Sequence, residues 1–300
     1  MTNKPKVWLD YDQDQLNDQY NQRILVPNAN SYMERNHVES AEVRDLLTCQ
    51  IDVPYGPSEF EKIDIFPAPP SANGKNPPVV IYFHGGAWTR WHKDHNSYQA
   101  KSFVGAGATF VSVNFALLPQ VDMDELIRQC RAATAWVYKN AADFGADPER
   151  LYVAGHSSGG HEVGLLAVTD WERDWGLPAD FIRGAVAASG MYDLEPVRLS
   201  SRNEYVKLDM GMTARNSAQR QIRDEMPPMI IAYGEGEQVE FRRQSMEFAA
   251  ELRRRGHAVQ EFDLPGLNHF DVAQQFDNPD GPLLKAFFAM MGLQDIQKER

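Results

Sequence analysis

Residues 151–160 read Leu-Tyr-Val-Ala-Gly-His-Ser-Ser-Gly-Gly, and this stretch is the strongest indication of the fold. Its first part, Leu151 to Ala154, has the length and composition of a buried strand. The strand leads into a G-x-S-x-G match centred on Ser157, and the residues from Glu162 to Leu166 are predicted to be helical. A sharp turn between strand and helix projects the serine outward, and small neighbours relieve the crowding. The stretch therefore predicts a strand, a serine turn and a helix in succession.

The rest of the chain alternates in the same way between strand-length apolar runs and segments with helical spacing. The predicted strands are 79–83, 110–113, 184–188, 229–233 and 259–264, and predicted helices begin at Asp122, extend from Phe241 to Leu252 and cover Leu283 to Met290. Two upstream segments, 46–53 and 60–66, are predicted to form an antiparallel pair at the sheet edge. This alternation predicts an α/β fold, with a mostly parallel sheet of about eight strands and helices on both faces.

Length and composition limit the classes of function. The 300 residues include 43% hydrophobic and 24% charged residues, and they are predicted to form a single domain, 1–300. Thirty basic against 42 acidic residues give a formal charge of -12, which argues against nucleic acid or an anionic membrane as partner. The two cysteines, the polar N-terminal residues and the absence of any run of about 18 apolar residues predict a cytoplasmic protein without a membrane span.

Two segments, residues 1–40 and 191–224, do not follow the alternation. In open α/β sheets, ligands bind beyond the carboxyl ends of the strands. Segments that do not build the sheet are candidates to cover that edge, so we predict that both contribute to a small cap. The expected partner is a small-molecule substrate, and homo-oligomer formation is left open by the sequence.

A second glycine motif follows the predicted strand 79–83. Residues 84–88 read His-Gly-Gly-Ala-Trp, and the adjacent Gly85 and Gly86 allow backbone N–H groups to point into a site without obstruction. Together with the N–H of Ser158, they are predicted to form an oxyanion hole, which stabilises the negative charge that develops during acyl transfer.

A serine nucleophile also needs a base and an acid, each placed just after a later strand. His269 follows the last predicted strand, whereas His257 precedes that strand at its opposite end. Three glutamates follow the penultimate strand. The spacing favours Glu237 as the acid and leaves Glu235 as the alternative, while Glu240 is expected to begin the next helix, where an acidic residue suits the helix dipole.

Other titratable residues do not predict a further site. His92 and His95 lack a third metal ligand, and His161-Glu162 is not followed by a second histidine at the spacing of a zinc protease. His156, inside the serine turn, is expected to pack rather than react. Arg253 to Arg255 end a predicted helix, where cations complement the dipole. We therefore expect neither a metal nor a cofactor.

Five stretches together resemble the serine-dependent arylformamidases (kynurenine formamidases) of the α/β-hydrolase superfamily, close to the hormone-sensitive-lipase-like esterases. These stretches are 84–88, 155–161, 192–196, 240–245 and 268–270, and the resemblance covers roughly residues 10 to 290. It implies an α/β-hydrolase fold, a role in tryptophan catabolism and a triad of Ser157, Glu237 and His269. It also implies oxyanion donors at Gly85, Gly86 and Ser158. The chain departs from the family in having Ala87 where tyrosine is usual, and Glu237-Gln238-Val239 where Asp-Ser-Pro is usual.

The resemblance implies hydrolysis of N-formyl aryl amides to an aryl amine and formate through an acyl-enzyme. A short-chain carboxylesterase with the same triad is the nearest alternative, and a non-catalytic ligand-binding protein on the same scaffold is an alternative of another class. The candidates for contact with the aromatic part of the substrate are Trp88, Tyr192 and Phe270, with Trp91 and Tyr205 as further candidates. We also expect the bulk of Trp88 to narrow the acyl pocket.

Overall fold

The computed structural model describes residues 4–71 and 73–293. The predicted single domain, 1–300, and the first predicted cap segment, 1–40, therefore extend partly outside the described residues. Within these residues, eight strands form one sheet. They are β1 (Gln50–Pro54), β2 (Lys62–Phe66), β3 (Val79–Phe83), β4 (Thr109–Val113), β5 (Leu151–His156), β6 (Ile182–Ala188), β7 (Met229–Gly234) and β8 (Val259–Leu264).

Helices connect most of these strands. The α-helices of the described residues are α1 (Gln13–Gln19), α2 (Ala29–Leu46), α3 (Ala100–Gly105), α4 (Met123–Asn140), α5 (Ser158–Val168), α6 (Trp171–Trp175), α7 (Glu195–Leu199), α8 (Asn203–Val206), α9 (Met210–Arg215), α10 (Val239–Arg254), α11 (His269–Gln274) and α12 (Pro282–Met290). Short 3-10 turns cover Gln22–Ile24, Lys93–His95, Ser97–Gln99, Ala141–Phe144, Pro148–Arg150, Ala218–Arg220 and Gln275–Asp277. None of the helices in the described residues has the length and hydrophobicity to cross a lipid bilayer.

The strand order is β1-β2-β4-β3-β5-β6-β7-β8. The β1/β2 and β2/β4 pairs are antiparallel, and the neighbours from β4 to β8 are parallel. The predicted mostly parallel sheet of eight strands and the antiparallel pair at its edge are thus confirmed. The predicted start of the first strand, at residue 46, is wrong because α2 continues to Leu46, and the N–H of Leu47 still donates to the carbonyl of Val43 at 2.9 Å.

The central strands of the sheet are buried on both faces, which explains why they are continuous apolar runs. Every residue of β3 is buried. Val79, Ile81 and Phe83 pack into one apolar layer, whereas Val80 and Tyr82 pack into the layer on the opposite face. Successive side chains of a strand point to opposite faces, so a strand between two helix layers has no position that favours a polar residue.

Candidate active site

Ser157 lies in a tight turn between β5 and α5. Its backbone has φ 60° and ψ −121°, a region that residues with a side chain rarely adopt. The turn fits because its glycines approach other backbone closely: a Cβ at Gly159 would lie 2.0 Å from the carbonyl oxygen of Phe83, and a Cβ at Gly155 would lie 2.5 Å from that of Gly159. The predicted succession of strand, serine turn and helix is confirmed.

His269 is placed by the start of α11. Asn268 precedes this helix, and its side-chain oxygen accepts hydrogen bonds from the N–H groups of Phe270 and Asp271, which fixes the first turn. The imidazole Nε2 of His269 lies 2.9 Å from the Oγ of Ser157, although 112 residues separate the two in sequence. His269 is 4% exposed, so this contact lies away from bulk solvent.

Glu237 is the carboxylate that the structure brings to His269. The Nδ1 of His269 donates to its Oε1, while its Oε2 accepts from the Ser189 hydroxyl at 2.9 Å and from the Gly234 N–H at 2.8 Å. The Glu237 side chain is fully buried. Three donors thus hold a buried charge in one orientation, which compensates for its removal from water.

The competing glutamates lie elsewhere. Glu235 is exposed, and its carboxylate accepts from the N–H of Gly266 at 3.0 Å. Glu240 lies in the first turn of α10, as predicted, and pairs with Arg243 at 2.8 Å. The geometry therefore favours Glu237 over Glu235 as the partner of His269.

The glycine loop after β3 lies beside Ser157. Gly85 and Gly86 border the same cavity as Ser157 and His269. Within the described residues, the backbone N–H groups of Gly85, Gly86 and Ser158 have no hydrogen-bond acceptor. Ser158 is the first residue of α5, so its N–H is one of the free donors at the positive end of a helix dipole. These donors are available to an anionic oxygen.

A cavity of about 360 Å³ opens in front of Ser157. One wall is the carboxyl edge of the sheet, and the opposite wall comes from both segments that break the strand–helix alternation. The residues of the first segment that border the cavity are Asn17, Asp18, Tyr20, Asn21, Gln22, Arg23, Tyr32, Met33 and Asn36. Those of the second segment are Ser201, Arg202 and Tyr205. Parts of both predicted cap segments thus border the cavity that contains Ser157.

Of the predicted aromatic contacts, Phe270 borders the cavity, as do Trp91 and Tyr205. Trp88 does not: it is 1% exposed, and its indole N–H donates to the Nδ1 of His161 at 3.2 Å. Its predicted contact with substrate is corrected because this hydrogen bond and the surrounding core hold the ring away from the cavity.

The prediction that Tyr192 contacts the substrate is also wrong, because its side chain is held in the core. Its ring is fully buried and stacks on Phe248, with ring centroids 4.3 Å apart. The ring also packs directly against Gly190, where an added Cβ would lie 2.7 Å from its hydroxyl oxygen. A tyrosine after a strand end can face either the core or the cavity, and the local sequence does not distinguish between them.

Ser189 and His156 were not predicted to contribute to the site. Ser189 follows β6 at the same sheet edge and donates to Glu237, a position that the strand-end rule could have found. His156 was expected to pack, and it is indeed 6% exposed, but it also borders the cavity and its ring centroid lies 4.6 Å from that of His269. Burial and the neighbouring His269 lower the pKa of His156 well below its ordinary value, so it remains neutral.

Three groups that could bind a metal lie close together at His269. Among the described residues, only His156, Glu237 and His269 place three possible metal ligands within 4.8 Å of one another. Both ring nitrogens of His269 are used, one by Glu237 and the other by Ser157. A hydroxyl, an imidazole and a carboxylate in this order are the groups that transfer an acyl group through serine.

Comparisons with known proteins agree with the fold and show the family of the chain. A family model described as BD-FAE matches residues 63–252. Kynurenine formamidase of Danio rerio is 30% identical, covering 95% of this chain and 98% of that protein. Esterase LipQ of Mycobacterium tuberculosis is 32% identical, covering 74% of this chain and 57% of that protein. The solved structure of an esterase from Pyrobaculum calidifontis superposes with a TM-score of 0.69 at 18% identity, covering 91% of this chain and 97% of that one.

The predicted α/β-hydrolase fold and the resemblance to the kynurenine formamidases are thereby confirmed. The relatives that cover most of this chain are hydrolases, and the sheet order places Ser157 at the carboxyl edge where such enzymes carry their nucleophile. The chain is therefore a hydrolase that belongs to the BD-FAE family and to the kynurenine formamidase group of α/β-hydrolases.

Proposed function

We propose that this hydrolase cleaves N-formyl aryl amides, compounds of the N-formylkynurenine type formed in tryptophan catabolism, to an aryl amine and formate. The observation that carries the proposal is the line of hydrogen bonds from the Ser157 hydroxyl through His269 to the buried Glu237. The line ends at a cavity large enough for a small aromatic molecule. Similarity to kynurenine formamidase of Danio rerio over 95% of the chain supports a formyl amide as the substrate.

In the first half of the reaction, the Ser157 Oγ attacks the formyl carbon while the Nε2 of His269 accepts the hydroxyl proton. Glu237 accepts the Nδ1–H bond and stabilises the imidazolium that forms. The carbonyl oxygen becomes an oxyanion, which the unpaired N–H groups of Gly85, Gly86 and Ser158 are positioned to bind. The C–N bond then breaks, and His269 returns its proton to the departing aryl amine.

In the second half, water enters the place that the amine has left. His269 accepts a proton from this water as its oxygen attacks the formyl ester on Ser157. A second oxyanion forms at the same N–H groups. Its collapse breaks the ester bond, releases formic acid, which loses its proton to solvent to give formate, and returns the proton from His269 to the Ser157 oxygen, which regenerates the enzyme. These steps balance without a cofactor.

The space around Ser157 supports a small acyl group. The glycine loop packs against the serine so closely that a Cβ at Gly85 would lie 3.2 Å from the Cβ of Ser157. Ser157 itself is only 6% exposed. Trp88 does not contribute to this restriction, so the backbone of the loop and the ring of His156 would define the acyl end of the cavity.

The experiment compares kcat/KM for matched N-formyl and N-acetyl anilides. Each carbon forced into a packed pocket costs ~1–3 kcal/mol, or about 10- to 200-fold in kcat/KM. We expect the formyl anilides to be hydrolysed at least about 10-fold more efficiently than the acetyl anilides. Equal rates on both series would contradict a site selective for formyl groups.

A short-chain carboxylesterase is the second candidate, because esterase LipQ is 32% identical over 74% of the chain. The same assay distinguishes it when aryl formate, acetate and butyrate esters are included. Turnover of butyrate esters above acetate esters, with no turnover of formyl anilides, would favour the carboxylesterase.

A further inference from the structure

Arg202 is a buried cation without a counter-charge. It is 7% exposed, and its Nε and Nη2 donate to the carbonyl oxygen of Tyr20 at 3.1 and 2.8 Å, while Nη2 also donates to Gln22 at 2.9 Å. The remaining Nη1 has only the sulfur of Met191, at 3.7 Å. No carboxylate of the described residues pairs with this guanidinium. Burial of an unpaired charge is costly, so an arginine in this state suggests that a ligand supplies the missing anion.

Arg202 borders the cavity that contains Ser157 and His269. Two more arginines, Arg23 and Arg90, border the same cavity, and within the described part of the chain neither pairs with a carboxylate. Three arginines of the described residues therefore border the cavity.

Among the described residues of this lining, the single carboxylate is that of Asp18, an exposed residue that does not pair with Arg202. The lining thus has an excess of positive charge in a chain whose formal net charge is -12. Burial lowers the pKa of Arg202 from its ordinary value, and the positive charge of Arg90 acts in the same direction. An anion in the cavity would relieve both effects.

We propose that Arg202 is a specificity-determining residue of this cavity, because it is placed to pair with a carboxylate on the leaving group of the substrate. The proposal rests on the proposed function, because a formyl group has only a hydrogen on its carbon and the anion must then belong to the amine part. A guanidinium offers planar N–H groups that match a carboxylate, and Nη1 of Arg202 has only the weak sulfur acceptor of Met191 among the described residues. Phe270 and Tyr205 border the same cavity and are placed to contact the aromatic ring between the two ends.

The experiment measures kcat/KM for a formanilide with an ortho propanoate chain and for its primary carboxamide, which has nearly the same shape but no charge. Charge-assisted hydrogen bonds contribute more than neutral ones. We expect the wild-type enzyme to favour the carboxylate by about 10-fold or more. The preference should disappear in Arg202→Gln and persist in part in Arg202→Lys, which retains the charge.

Arg198→Gln is the matched control. Arg198 lies in the same segment but pairs with Glu195 and does not border the cavity, so its loss should leave the preference unchanged. If Arg202→Gln lowers kcat/KM for both substrates by the same factor, Arg202 only supports the fold and the assignment is overturned. The comparison of the two substrates on the wild-type enzyme does not depend on whether a variant folds. Equal kcat/KM for the carboxylate and the carboxamide would by itself overturn the proposal.

The carboxylate and carboxamide compounds are also prepared as phenyl acetate esters instead of formanilides. Assays with these esters distinguish failure of this proposal from failure of the formamidase proposal. Inert formanilides with a carboxylate preference among the esters would refute the formamidase function and support the anion site. Efficient formanilide hydrolysis without a carboxylate preference would support the formamidase function and refute the anion site.

Discussion

The two walls of the cavity differ in how they are built. On the sheet side, Ser157, Glu237 and His269 each follow a strand end, and backbone groups or capping residues fix each of them. The opposite wall consists of helices and turns from residues 17–36 and 201–205 that belong to no strand. The groups proposed for chemistry are therefore held by the strand ends and the caps of the helices that follow them, whereas Arg202, proposed for recognition, is held by contacts between distant segments. Changes on the sheet side should affect all substrates, and changes on the opposite side should affect selectivity.

The largest effect in this comparison is expected at Glu237. Glu237→Gln leaves His269 without the carboxylate that orients it, and we expect kcat to fall by about 10^4 by analogy with the serine proteases. The loss should be the same for formyl amides and esters, since both need His269. Steady-state kinetics with both substrate classes measures this.

Glu235→Gln is the control, because within the described part of the chain the exposed Glu235 carboxylate bonds only to the N–H of Gly266. Its activity should remain close to that of the wild type. A ranking in which Glu235→Gln is the more impaired variant would transfer the role of the acid to Glu235. If Glu237→Gln lowered kcat for only one of the two substrate classes, the assignment of chemistry to the sheet side and of selectivity to the opposite wall would be wrong.

A smaller effect, on stability alone, is expected from substitution of Glu162, a buried residue of α5. Both of its carboxyl oxygens are buried without a hydrogen-bond partner in the described residues, and burial raises its pKa well above 4.5. A raised folded-state pKa means that the neutral acid contributes stability fully below about 4.5 and loses it as pH rises through the folded pKa. Glu162→Gln removes this dependence, so the free energy of unfolding of the variant should improve relative to the wild type between pH 5 and pH 8.

Urea unfolding at several pH values measures this difference, with the exposed Glu172→Gln as control. The activity of Glu162→Gln should remain near that of the wild type, since Glu162 does not border the cavity. Parallel stability curves for the variant and the wild type would show that Glu162 is ionised in the folded protein.

The same contrast explains what the sequence could predict. The residues on the sheet side could be predicted from the sequence because Ser157, Glu237 and His269 follow apolar runs of strand length. The order of the strands determines where the ends of these strands lie. For the opposite wall, the sequence predicted only that two segments without the strand–helix alternation contribute to it. Arg202 contacts Tyr20 across 182 residues, and no periodicity in either segment indicates that contact.

Side-chain direction limited the prediction in a different way. Trp88 and Tyr192 follow strand ends as the catalytic candidates do, but their rings are buried against His161 and Phe248. An aromatic residue gains free energy from burial in either place, so its type does not reveal which side of the loop it occupies.

The most direct test of the account is covalent labelling of Ser157. A fluorophosphonate probe, followed by intact-protein and peptide mass spectrometry, should show one adduct per chain, located on Ser157. Ser157→Ala should take up no probe and lose up to ~10^6 in kcat, whereas Ser201→Ala, which changes another serine of the cavity, should be labelled like the wild type. An unlabelled wild-type protein, or an adduct that persists in Ser157→Ala, would contradict the assignment of Ser157 as the nucleophile.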